Sequence, residues 1–281
     1  MLTYDPASTA ATRAILRDLG AAPNRTMGQN FLTNGGALDR IVSTAKIGSG
    51  DAVLEVGPGL GALTTRLVQR AAQVTAIEKD AQFLELLRDK LPTLNLVPGD
   101  ALKVSWDELG LPAAGVKVAA NLPYSISKPM LRRLMEDWRP HLHSATLTVQ
   151  REVAERIVAS PNTSAYGPMA IMCALHGHAK SVFDIAPGSF LPPPAVTSSV
   201  VHIVMREQPA VEIADETFFW RVVNAAFGQR RKQLANTLRA VIADKTQLAE
   251  ALNSVEIDPL RRGETLSLEE FAALARRLSE N

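Results

Sequence analysis

An α/β fold, with a mostly parallel sheet flanked by helices and a small all-helical domain behind it, is the class that three features of this chain predict. Strand-like apolar runs alternate with helical segments from Ala52 to Val149, the pattern of βαβ units. A glycine-rich turn, Gly57-Pro58-Gly59-Leu60-Gly61, joins the first of these strands to the next helix. After about Arg206 helical periodicity continues with no clear strand between its segments.

In chain order, Thr12 to Leu19 reads as a short amphipathic helix, with Ile15, Leu16 and Leu19 on one face and Gly20 as its stop. Ala52 to Val56 is a strand and Gly61 to Ala71 a helix. Val74 to Glu78 is the next strand, followed by a helix from Ala81 to Lys90. Leu94 to Val97, Val116 to Ala120 and Ala145 to Val149 are further strands, with Ser127 to Trp138 helical. Phe218 to Ala243 and Leu266 to Leu278 carry helical periodicity. A boundary near Glu207-Gln208-Pro209 divides the chain into residues 1–208 and 209–281.

The 281 residues suffice for a sizeable core, and 46% apolar with 21% charged residues is ordinary for a soluble globular protein. A net charge of +1 means that any contact with nucleic acid must come from local patches. Cys173 is the sole cysteine, which excludes an internal disulfide and a cysteine-rich zinc site. His141, His143, His176, His178 and His202 form no metal-ligand spacing, so no metal is expected. Arg13, Arg17 and Asp18 interrupt the apolar residues of the N-terminal segment, and no run approaches membrane-spanning length. A monomer in a reducing cytoplasm is the expectation.

The chemistry gathers at strand ends. Asn121-Leu122-Pro123-Tyr124 follows the apolar run Val116 to Ala120, where open α/β sheets place their ligands. An Asn side-chain carbonyl and the next backbone carbonyl both accept hydrogen bonds from an N–H₂ group. Pro123 stiffens the turn, and Tyr124 offers a face on which a base stacks. In Glu55-Val56-Gly57-Pro58-Gly59, the glycines allow a ligand close to the backbone. Glu78 lies 21 residues beyond Gly57, a spacing that suits a carboxylate on a ribose diol. Asp100, just past the third strand, is placed to accept from the exocyclic amine of an adenine. A dinucleotide-dependent oxidoreductase also uses a glycine-rich turn, but gives Asn121-Leu122-Pro123-Tyr124 no task.

Glu55 to Thr64, Ala76-Ile77-Glu78, Gly99-Asp100-Ala101 and Asn121 to Tyr124 together resemble the motifs of the rRNA adenine-N6 dimethyltransferases. Gly28-Gln29-Asn30-Phe31-Leu32, Gln150 to Arg156 and Phe190-Leu191-Pro192-Pro193-Pro194-Ala195-Val196 extend the resemblance from about Asn24 to Phe271. Basic residues often precede the first motif in that family; here Arg25 is followed by Thr26 and Met27. Phe227 to Leu234 and Ile257 to Ser267 resemble the small-subunit (KsgA) branch, with the large-subunit, antibiotic-resistance type as the alternative.

The resemblance implies a Rossmann-like class I methyltransferase sheet that uses S-adenosylmethionine. It implies dimethylation of two adjacent adenosines in the hairpin near the 3′ end of small-subunit rRNA, in the small subunit or its precursor. Asn30 and Leu32 would cover the cofactor, Gly57 would approach its amino-acid end, Glu78 its ribose and Asp100 its adenine, with Glu55, Gly59 and Asn121 as further cofactor-binding residues. Asn121 and the Leu122 carbonyl would hold the target amine, with Tyr124 and Phe190 against the base. From Thr217 to Ala243 there are five basic residues, including Arg221, Arg230, Arg231 and Lys232, and no Asp or Glu. With Lys128, Arg132 and Arg133 after the Asn121 loop, these are the expected phosphate contacts. A non-catalytic assembly factor on the same scaffold is the third reading; the intact motifs argue against inactivity.

Overall fold

The computed structural model describes residues 4–24 and 28–280; Arg25, Thr26 and Met27 lie outside them. Its strands are β1 (Phe31–Leu32), β2 (Ala52–Val56), β3 (Gln73–Glu78), β4 (Asn95–Pro98), β5 (Val116–Asn121), β6 (Leu142–Gln150), β7 (Gly177–Ile185), β8 (Phe190–Leu191) and β9 (Ser198–Met205). Its helices are α1 (Thr9–Asp18), α2 (Gly35–Thr44), α3 (Thr64–Leu67), α4 (Ala81–Lys90), α5 (Ser127–Glu136) and α6 (Arg151–Ile157). They continue with α7 (Pro168–His176), α8 (Glu216–Gly228), α9 (Leu234–Thr237), α10 (Lys245–Ser254) and α11 (Leu268–Ser279).

Seven strands form one sheet in the order β4-β3-β2-β5-β6-β9-β7, and β1 pairs with β8 in a separate ribbon. The pairs β3–β4, β2–β3, β2–β5 and β5–β6 are parallel, whereas β6–β9 is antiparallel. The chain leaves β2 toward β3 and β4 on one side and returns to β5 and β6 on the other. The carboxyl ends of β2 and β5 therefore flank a topological switch point, the crevice in which such sheets bind ligands. The central strands β2 and β5 are mostly apolar, as burial on both faces requires: Val53, Leu54, Val116, Val118, Ala119 and Ala120 are fully buried, and Glu55, Lys117 and Asn121 are the polar exceptions.

The fold class is as expected, and β2 and α4 have the expected bounds. Helix α4 starts where Asp80 caps the Gln82 amide. The predicted helix Gly61–Ala71 shrinks to α3, because the glycine turn uses its first residues. Strands β7 and β9 and helices α2 and α7 lie where no element is predicted. Six of the eight residues of β9 are buried, so no alternation marks it.

Two compact units result: one holds the residues up to Ala154 with Ala179–Met205, the other Glu155–His178 with Arg206 onward. The last of the three crossings, after Met205, falls three residues before the predicted boundary. Residues 155–178, read from sequence as part of the first domain, belong to the second unit. Their α7 side chains Ala170, Ile171 and Leu175 join the core of that unit with Phe219, Phe271 and Leu274. The stretch Phe218 to Ala243 is broken: α8 ends at Gly228, and Gln229 to Lys232 form a turn before α9. Ser267 opens α11 with a capping box closed by Glu270.

Candidate active site

The carboxyl ends of β2, β3, β4 and β5 surround a cavity of about 270 Å³ in the first unit. Asn30, Leu32, Glu55, Gly57, Gly59, Glu78, Asp100 and Asn121 to Tyr124, expected from sequence as cofactor or target-base residues, all line it.

Gly57 has a φ of 69°, and a Cβ there would lie 3.3 Å from the Pro123 ring. A side chain would therefore be strained and would press on the Asn121 loop. Gly28 has the same φ, and a Cβ there would come 3.1 Å from the Ser125 amide nitrogen. Glycine lets the N-terminal motif lie against the loop that follows β5.

Two acids sit side by side in this cradle. Glu55 is 2% exposed; burial pushes its carboxyl up to about 8, the Thr64 hydroxyl opposing the shift and the Glu78 charge adding to it. Glu78 accepts from the Gly59 amide at 3.0 Å and from the Lys79 and Asp80 amides at 2.8 Å each. Burial still raises its pKa, although these three bonds oppose the rise. The bonds fix the carboxylate at the end of β3, where a hydroxyl pair in the cavity can reach its remaining lone pairs.

Asp100 accepts from the Leu102 amide at 3.0 Å and pairs with Lys79 Nζ at 3.1 Å. The Leu102 amide and the Lys79 ammonium hold its pKa below the usual carboxylate range. It is thus an ionised acceptor at neutral pH.

Asn121 is the last residue of β5, in register with Thr148 of β6. Its Nδ2 donates to the Asn30 carbonyl at 3.1 Å. Turning the amide over would set two oxygens face to face, so this bond fixes which atom is which. The buried Oδ1 is left with no hydrogen-bond partner among the described residues. A buried acceptor without a donor costs stability unless a ligand completes it. Pro123 accepts from the Ile126 amide and the Ser127 hydroxyl, which closes the loop into a turn. The Tyr124 hydroxyl bonds to Ser198 Oγ, and burial raises its pKa.

Residues 21–275 match the ribosomal RNA adenine dimethylase family. The chain belongs to that family. The enzyme is 45% identical over 267 residues to ribosomal RNA small subunit methyltransferase A of Magnetococcus marinus, covering 94% of each chain. It is 41% identical to the protein of the same name from Moorella thermoacetica, covering 97% of this chain and 98% of that one. The structure resembles a dimethyladenosine transferase from Plasmodium falciparum, with a TM-score of 0.77 and 26% identity over 89% of this chain and 98% of that one. It also resembles the 23S rRNA methyltransferase ErmE, with a TM-score of 0.67 and 25% identity over 89% and 100%.

Phe190 requires a correction. It does not line the cavity of the enzyme. In β8 it pairs with Leu32 of β1 and is 3% exposed, packed in the core with Leu38, Ile41 and Val200. It supports the strand that carries a lining residue instead of presenting its own ring.

The basic residues also separate. Arg133 is a structural residue, contrary to the sequence reading: its guanidinium donates to the Ala101 and Val104 carbonyls and lies 4.6 Å from the Trp138 ring centre. Arg132 pairs with Glu136 at 2.7 Å, one turn along α5. Lys128 is exposed at the start of that helix. In the second unit Arg221 lies over Phe218, and Arg230 donates to the Tyr166 carbonyl at 2.7 Å. Arg231 and Lys232 are exposed.

Lining residues that the sequence reading did not single out include Lys79 and Phe83. Lys79 directly follows Glu78, so the strand-end argument reaches it; Phe83 carries no signal beyond the apolar face of α4.

Proposed function

We propose that this enzyme transfers methyl groups from S-adenosylmethionine to the N6 amines of two adjacent adenosines in the hairpin near the 3′ end of small-subunit rRNA. The substrate is that RNA in the small subunit or its precursor, in a reducing cytoplasm. One observation carries the reading: Asn121 presents a buried, unpartnered carbonyl oxygen at the rim of a glycine-cradled cavity. That atom is an acceptor held in place for an amine.

The residues fit the cofactor. The amino-acid end belongs beside Glu55, Gly57 and Gly59, where a Cβ would crowd the Pro123 ring at Gly57 and the Phe31 ring at Gly59. Glu78 accepts the ribose diol, Asp100 the exocyclic amine of the adenine, and Asn30 and Leu32 close the near side. When bound, S-adenosylmethionine supplies an electrophilic methyl group on a sulfonium that leaves as a neutral sulfide.

The chain's own task is to prepare the acceptor nitrogen. The adenine N6 lone pair is delocalised into the ring. Hydrogen bonds from its two N–H groups to Asn121 Oδ1 and the Leu122 carbonyl favour a more tetrahedral nitrogen and raise its nucleophilicity. Tyr124 stacks on the ring. The target atom is shielded in paired, stacked RNA, so the base is received flipped out. The N6 proton is strongly acidic after transfer and leaves to water. Tyr124 does not serve as base, because burial raises its pKa.

The small-subunit substrate is favoured over the large-subunit alternative by the names and identities of the relatives: 45% and 41% for small-subunit methyltransferases against 25% for ErmE. Contact with RNA phosphates falls to Arg231, Lys232 and Lys128, exposed cations of the predicted set, whereas Arg132, Arg133, Arg221 and Arg230 are engaged by Glu136, the Ala101 carbonyl, the Phe218 ring and the Tyr166 carbonyl. The test is methyl transfer from labelled cofactor to unmethylated small and large subunits, followed by nucleoside analysis. N6,N6-dimethyladenosine in small-subunit RNA alone is expected. Label confined to large-subunit RNA, or to another nucleoside, would contradict the reading.

A further inference from the structure

We propose that Ser198 is a positioning residue, whose hydroxyl sets the plane of the Tyr124 ring before a base arrives. The inference rests on the functional reading above and extends it to a residue in another strand. Tyr124 lies in the turn that precedes α5, where its carbonyl accepts from the Ser127 amide. Its side chain reaches back to the sheet, where its hydroxyl meets Ser198 Oγ.

Ser198 is 0% exposed and is the first residue of β9. It is in register with Gln150 of β6, and β6 is in register with β5 at Asn121. The ring is thus anchored at its far end to the same sheet that carries the Asn121 acceptor. A tyrosine ring has two side-chain torsions; the backbone turn fixes its root and Ser198 fixes its tip. The stacking face is then held relative to the amine acceptors, which shortens the search for a reactive geometry. The bond directs the Tyr124 hydroxyl to the sheet, which leaves the ring face for the base.

The experiment is a double-mutant cycle in single-turnover methylation of unmethylated small subunits, at saturating cofactor. The forms are wild type, Tyr124→Phe, Ser198→Ala, their combination, and Ser198→Thr. Ser198→Ala and Tyr124→Phe should each slow transfer roughly three- to tenfold, the range for one lost hydrogen bond. The combination should be no slower than either alone, and Ser198→Thr should recover most of the rate. Affinities for cofactor and subunit should stay as in wild type.

A purely structural role for Ser198 would slow the Tyr124→Phe background by the same factor as wild type, and that result would overturn the proposal. So would an unchanged rate for Ser198→Ala. Wild type that transfers no methyl group to adenine N6 would instead overturn the functional reading.

Discussion

The side-chain amide of Asn121 donates to the backbone carbonyl of Asn30, 91 residues earlier in the chain, at 3.1 Å. One bond thereby joins the N-terminal segment at the cavity to the residue proposed to accept the target amine. Because Nδ2 is engaged, Oδ1 is turned to its unpartnered position before any substrate binds. In the proposed mechanism the acceptor is thereby preorganised, the condition under which electrostatic stabilisation of a transition state is most effective.

Glu78 is the first residue whose loss reads out on the cofactor. Glu78→Ala deletes the diol acceptor and also frees the Gly59, Lys79 and Asp80 amides. S-adenosylmethionine binding should weaken by on the order of 1.5–3 kcal/mol, the cost of losing hydrogen bonds to a charged group. Titration calorimetry on the folded variant measures it. Unchanged affinity would remove Glu78 from the cofactor site.

Glu55 makes stability depend on pH. Its carboxyl is raised from 4.5 to about 8, chiefly by burial. Between those values the folded chain holds a proton that the unfolded chain has released. Stability from this group is therefore fully present below 4.5 and lost as pH rises through about 8. Glu55→Gln, neutral at every pH, should melt closer to wild type at pH 5 and clearly above it at pH 9. A melting difference that does not vary with pH would contradict this assignment.

The basic turn after α8 should divide into two kinds of residue. Arg230→Gln should lower the melting temperature, because it frees the Tyr166 carbonyl. Arg231→Gln with Lys232→Gln should leave melting unchanged and weaken small-subunit binding. The log–log salt slope should fall by roughly 0.7–0.9 for each phosphate that is no longer neutralised. An unaltered slope in the double variant would take these two residues out of the RNA interface.

The cavity was legible in the sequence because its parts are strand ends. Glu55, Glu78, Asp100 and Asn121 each follow an apolar run, and parallel pairing then brings those ends to one rim. What stayed hidden depends on packing between distant segments. Phe190 and Arg133 sit in motifs with a functional look, yet one is core and the other ties two carbonyls. Neither burial nor a partner 32 residues away is written in local pattern. The same holds for β7, β9 and the 155–178 insert. Uniform burial hid β9, and the mixed charges of β7, at the sheet edge, carry no strand period. Ser198 escaped notice because only the fold brings it to Tyr124.

The most direct test of the account is single-turnover methylation of unmethylated small subunits by Asn121→Ala, with cofactor and subunit affinities measured on the same preparation. Transfer should slow by roughly a hundredfold or more, as when one preorganised group at a reacting centre is removed. Both affinities should stay within about threefold of wild type, less than the roughly fivefold change that 1 kcal/mol represents. Near-normal transfer by this variant would contradict the central claim that the Asn121 carbonyl activates the adenine amine.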